Sequence, residues 1–147
     1  MRRVATELGV TQPVLYSAFE SRQALIDAVA MAGFAAISEA LEAVDPQPRL
    51  RMSAYLDFAR RNPRVYEAMF SLPSGLSFGT EDGPKTLRRA FAAIHEAFPG
   101  THGTEAEVAW ATVHGLATLQ NSGRLPAPGA TARLDYAHAA LASQSGQ

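Results

Sequence analysis

The sequence predicts an all-α protein, and three observations carry that prediction. Ala, Leu, Glu, Gln and Arg recur at helical spacing along nearly the whole chain. No stretch alternates Val, Ile or Thr with polar residues as a half-buried strand would. Pro and Gly gather in short clusters that punctuate the helical stretches: "GVTQP" at 9–13, "DPQP" at 45–48, "NP" at 62–63, "LPSGLSFGTEDGP" at 72–84, "PGTHG" at 99–103 and "SGRLPAPG" at 122–129.

Between these breaks helices are expected over 2–8, 12–19, 22–43, 49–61, 64–71, 85–97, 105–121 and 131–143. The first two form a tight pair. Gly9 supplies a turn in which positive φ is cheap, and Thr11 is placed to cap the second helix. Val10, Leu15, Ala18 and Phe19 then fall on one side, able to pack on Val4, Ala5 and Leu8, while Pro13, Tyr16, Ser17 and Glu20 face away. Helix 22–43 carries a stripe of Leu25, Val29, Ala32, Ala36 and Ile37. Pro63 should stop one helix and start the next, and Pro84 suits the first turn of helix 85–97, where its missing N–H costs nothing. Thr104 and Glu107 have the T-x-x-E spacing of a capping box at the head of helix 105–121. Residues 72–84 are expected to be a flexible loop.

At 147 residues and 47% hydrophobic, the chain is long enough for one substantial core with a small second unit beside it. It has no cysteine, which removes disulfides, a thiol nucleophile and cysteine-bound zinc, and a cytoplasmic location is the expectation. No run of 18 apolar residues and no signal-peptide layout occurs, so no membrane partner is expected. The net charge is −1, and residues 1–45 hold three Arg against six acids; any nucleic-acid contact there must be local rather than a matter of bulk charge.

Enzyme signatures are missing: there is no G-x-S-x-G elbow, no phosphate-binding loop around Gly79 and Gly83, and no dinucleotide fingerprint. His95 and Glu96 are adjacent and diverge on a helix, with no second His one turn away, so neither a metal nor another cofactor is expected, and no catalytic residue is assigned. The basic residues Arg49, Arg51, Arg60, Arg61, Arg64, Lys85, Arg88 and Arg89 are read as a solvated surface, paired locally with acids such as Asp57 and Glu67.

The outward face of the second helix suits DNA. Its N-terminal N–H groups and positive dipole end favour a phosphate; Thr11 and Gln12 can reach a phosphate or a base edge, Pro13 or Val14 a thymine methyl, and Tyr16 a phosphate oxygen. Taken on periodicity alone, an ordinary helix pair with a wet face fits equally well. The stretch "VATELGVTQPVLYSAFESRQALIDAVA", residues 4–30, closely resembles the second, third and early fourth helices of TetR-type transcriptional regulators, through Ala5, Gly9, Val10, Leu15, Tyr16, Phe19, Ser21, Arg22 and Leu25. The resemblance implies that Thr11, Gln12, Pro13, Val14, Tyr16 and Ser17 occupy recognition-helix positions and that Arg22 clamps a phosphate. Ser17 and Ala18 stand where many members of the family carry larger basic or aromatic residues, and Glu20 adds a negative charge beside the DNA backbone. Against that family the chain begins inside the second helix, so the usual first helix is expected to be missing. The domains expected are a helix-turn-helix DNA-binding region at 1–30 and a helical effector-binding and dimerisation domain at 31–147.

The later stretches "AYLDFARRNPRVYEAMF", "LRRAFAAIHEAF" and "VAWATVHGLATLQNSGRLP" resemble the regulatory domain named for Trp, His and Gly, matched here by Trp110, His114 and Gly115. Aromatic and sulfur side chains concentrate in this region. Tyr55, Phe58, Tyr66, Met69, Phe70, Phe91, His95, Trp110 and His114 are the candidates to enclose a small apolar or aromatic effector, although each one alone also fits plain core packing. The last two helices carry Val113, Leu116, Ala117 and Gln120, then Leu134, Ala137 and Leu141, a small-residue face suited to a two-fold four-helix dimer interface. The reading is a homodimeric repressor that binds double-stranded operator DNA and answers to a small-molecule effector. The alternative is a dimeric ligand-binding module without competent DNA binding.

Overall fold

A computed structural model describes residues 21–71 and 84–144 of the chain. Among these residues there are six α-helices, one short 3-10 turn and no strand. The expected helices 2–8 and 12–19 and the loop 72–83 lie outside the described residues.

Helix α1, Arg22–Glu42, starts at Ser21, whose Oγ accepts a hydrogen bond from the Ala24 N–H at 3.0 Å and so satisfies one of the orphan donors of the first turn. Leu25, Val29, Ala30, Gly33, Phe34, Ile37 and Leu41 form its buried stripe. By length and composition α1 is apolar enough to cross a membrane, yet that stripe packs on the helices described next, as in a core helix of a globular domain. The polar Ser38 is tolerated inside because its hydroxyl donates to the Phe34 carbonyl at 2.7 Å.

Helix α2, Pro48–Arg61, has Pro in its first turn, where its missing N–H costs nothing, and Arg60 and Arg61 in its last, suited to the negative end of the helix dipole. Asn62, at φ −128° and ψ 56°, breaks the helix, and Pro63 opens α3, Pro63–Met69, as the sequence led one to expect. Helix α4, Lys85–Ala97, begins just after Pro84, which stands at the cap position rather than inside the first turn. Helix α5, Thr104–Asn121, departs more clearly from expectation. Gly103, at φ +74°, caps it, and Thr104 is already helical with no side-chain cap bond, so the capping box does not form. A left-handed glycine turns the chain into the helix, and Glu105 and Glu107 keep negative charge near its positive end. Residues Ala127–Gly129 make the 3-10 turn that leads into α6, Ala130–Ala142.

Helix α1 lies against α3 and α4, while α2 packs on α5 and α6. The core between them holds Phe34, Ile37, Leu41, Met52, Tyr55, Tyr66, Met69, Leu87, Ile94, Trp110 and Val113. Two approaches are close. A Cβ at Gly33 would stand 2.6 Å from Met69 Cγ and 2.8 Å from Val65 Cγ1, so glycine there is what lets α1 touch α3. Helix α6, by contrast, buries only Leu134 and rests lightly on α5.

The arginines are less uniform than the sequence suggests. Arg60 pairs with Asp57 and Arg64 with Glu67, each at 3.4 Å on the surface, as expected. Arg51 does not belong to the solvated set: it is 4% exposed, and its guanidinium donates to the Ala93 carbonyl at 2.6 Å and to Glu96 at 3.1 Å, tying α2 to the end of α4. A planar donor fork meets a carbonyl and a carboxylate at once, a geometry lysine cannot reproduce. Arg89 bridges to Glu42 with two bonds, at 2.8 and 2.6 Å, and holds that carboxyl below its ordinary range. Arg49 reaches Asp135 at 2.8 Å and fastens α2 to α6.

Candidate functional site

Polar groups buried among the aromatic residues form a continuous chain from α5 through α2 and α3 back to α5. The Trp110 Nε1–H donates to the Tyr55 hydroxyl at 3.0 Å. The Tyr55 and Tyr66 hydroxyls are 2.8 Å apart, and the Tyr66 hydroxyl is 2.6 Å from His114 Nδ1. Helical spacing explains how α5 supplies both ends, since Trp110 and His114 stand one turn apart on one face. Tyr55 comes from α2 and Tyr66 from α3, across the Asn62–Pro63 break. Burial pushes both tyrosine hydroxyls well above the ordinary phenol range and lowers His114 from the ordinary imidazole value. All three groups are therefore neutral near pH 7.

Two cavities open on either side of His114. The first, about 440 Å³, is lined by Pro63, Arg64, Tyr66, Glu67, Phe70, His114, Thr118, Asn121 and Ser122. The second, about 280 Å³, is lined by Phe70, Phe91, Glu107, Trp110, Ala111 and His114. Phe70 and His114 belong to both, with ring centroids 4.2 Å apart, and so form the wall between them. The Phe91 and Trp110 rings are nearly parallel, with centroids 6.1 Å apart, and give the second cavity a flat aromatic side.

Of the nine effector candidates, Tyr66, Phe70, Phe91, Trp110 and His114 line these cavities. Tyr55 lies behind them as the link between Trp110 and Tyr66. Phe58 and Met69 are buried in the core and reach neither cavity, and His95 packs beside Phe91 without lining the space. Sequence reasoning passed over Arg64, Glu67, Thr118 and Asn121, the polar rim. Their pairing with the aromatic wall joins α3 to the end of α5, which no local spacing reveals.

Arg22 is the exposed first residue of α1. Thr11, Gln12, Pro13, Val14, Tyr16 and Ser17 lie outside the described residues. The face chosen for dimerisation is partly displaced by the fold: Val113, Ala117 and Leu134 are buried in the chain's own core, where α5 and α6 meet α2, and Leu116, Gln120, Ala137 and Leu141 are half-buried. The outward face of α5 and α6 instead carries Val108, Leu119 and Tyr136, exposed by 49%, 41% and 79%. Between these helices runs an open apolar groove that includes Ala111, Gly115, Leu116, Ala132 and Ala137.

No group of three or more His, Asp or Glu residues is placed to hold a metal among the described residues. A search of curated proteins gives no match. A solved structure from Rhodococcus sp. RHA1, described as that of a protein with unknown function, is similar at 26% identity, with a TM-score of 0.59, over 84% of this chain and 74% of that one. Residues 49–142, from the start of α2 to the end of α6, match the family described as tetracyclin repressor-like, C-terminal domain. That stretch contains both cavities, the buried hydrogen-bond chain and the exposed groove, and with it this chain belongs to the family of TetR-type regulators.

Proposed function

We propose that the chain is a homodimeric repressor that binds operator DNA and releases it when a small apolar or aromatic effector occupies the cavities at Phe70 and His114. The observation that carries this reading is the position of those cavities. Their shared wall, Phe70, closes α3 and makes an edge contact with Phe34 of α1 at 5.7 Å between ring centroids. Helix α1 is the segment that leads to the DNA-reading residues 11–22, so a ligand that shifts Phe70 acts on the packing of the helix that carries them.

Residues 1–30 form the reading head in this account, with Thr11, Gln12, Pro13, Val14, Tyr16 and Ser17 toward the DNA and Arg22 on a phosphate. Two heads require two chains. Val108, Leu119 and Tyr136, with the groove at Gly115, are an apolar surface on α5 and α6 suited to a second copy by two-fold symmetry. Gly115 supports this assignment: a Cβ there would meet nothing within 4 Å among the described residues, so their packing gives no reason for a helix-weakening glycine, whereas a close-packed partner helix does.

The test is the oligomeric state of Gly115→Glu and Tyr136→Glu by sedimentation, together with footprinting on DNA upstream of the gene. Both variants should sediment as monomers and lose protection. Dimers with full protection would remove α5 and α6 from the interface.

A further inference from the structure

We infer that His114 presents a fixed Nε2–H donor, and that the ligand of these cavities is an aromatic or otherwise apolar compound bearing a neutral oxygen acceptor such as a ketone. This rests on the reading of the cavities as an effector site and adds the chemistry that selects the occupant.

The hydrogen-bond chain has a direction. Indole nitrogen only donates, so Tyr55 oxygen is the acceptor at its first link. Tyr55 is 1% exposed, and Tyr66 oxygen at 2.8 Å is an acceptor within reach of its hydroxyl; its proton therefore goes there. The Tyr66 proton is passed on in turn, to His114 Nδ1 at 2.6 Å. A neutral imidazole that accepts at Nδ1 carries its proton at Nε2. Each hydroxyl polarises the next, so the chain fixes the tautomer from Trp110 outward.

The surroundings define the rest of the ligand. His114 stands in the wall between two cavities whose other shared member is a phenyl ring, and the second is flanked by the Phe91 and Trp110 rings. Glu107 also borders that second cavity, and Arg64 at the rim of the first is already paired with Glu67. An anionic ligand would meet a carboxylate there, and the described lining residues offer it no unpaired cation. A neutral acceptor on a flat apolar frame meets the imidazole donor and the aromatic faces together.

The experiment compares acetophenone with ethylbenzene, which are similar in size and apolar frame and differ in the acceptor. Trp110 is the one tryptophan of the chain, so its indole N–H resonance reports binding of either probe to the full chain. Acetophenone should bind roughly five- to tenfold more tightly. That preference should shrink in Tyr66→Phe and vanish in His114→Phe, with ethylbenzene affinity kept. Long-range proton–nitrogen correlation on the unliganded protein should show His114 protonated at Nε2 and bare at Nδ1. A proton on Nδ1, or equal affinity for both probes, overturns the assignment while leaving the cavities as a ligand site. Failure of both probes to bind overturns that reading as well.

Discussion

Trp110, Tyr55, Tyr66 and His114 show how individual residues can be visible in a sequence while their roles are not. Each was recognisable as an aromatic or polar-tipped residue in an apolar region, and the one-turn spacing of Trp110 and His114 was legible. The bonds that give them meaning span 55, 11 and 48 residues, and nothing local encodes such contacts. Removing the Tyr55 hydroxyl should be costly, because Tyr55→Phe leaves the Trp110 N–H and the Tyr66 oxygen without this partner in the core. We expect a loss of about 1–3 kcal/mol in urea unfolding. His114 adds a pH dependence. Burial lowers its folded-state pKa, so the unfolded chain binds more protons just below the ordinary imidazole value. The stabilisation is full above about pH 6.5 and declines as pH falls toward the lowered folded-state value. Protonation also places a proton on Nδ1, opposite the one that Tyr66 donates. Unfolding midpoints from pH 8 to 5 should fall less steeply in His114→Gln, which does not titrate.

At the scale of helices, Pro and Gly placed the described boundaries to within two residues. The Pro63 break and the long α1 both followed from local grammar. The caps were read less well. Ser21 caps α1 through its hydroxyl, whereas Thr104 does not cap α5, because Gly103 takes the cap position in a left-handed conformation open to glycine. The displaced dimer stripe has a similar origin. Val113 and Ala117 continue the buried register of Ala106 and Trp110, and small apolar residues occupy both the inner and the outer faces of α5, so composition alone does not separate the two. Packing of α1 on α3 yields a sharp expectation. Gly33→Ala would gain up to about 1 kcal/mol of helix propensity but press a methyl group into Met69 and Val65, at an overpacking cost of about 1–3 kcal/mol. Net destabilisation by thermal unfolding is expected, accompanied by altered operator affinity, since the displaced helix carries the reading head in this account.

For the molecule as a whole, the helical class and the family could be read from the sequence, and residues 49–142 bear out the family. The cavity was legible only as a region rich in aromatics. Its division by Phe70 and His114 arises from the arrangement of three helices, α3, α4 and α5, that no single segment specifies. The central claim couples that cavity to DNA. Footprinting of the chain on DNA upstream of its gene, at fixed salt and with increasing acetophenone, tests it most directly. The account predicts protection of a near-palindromic site that is lost in Tyr16→Ala with Arg22→Ala, and released as the probe fills the cavity. Protection that persists in that double variant, or that ignores a probe shown to be bound at Trp110, would contradict it.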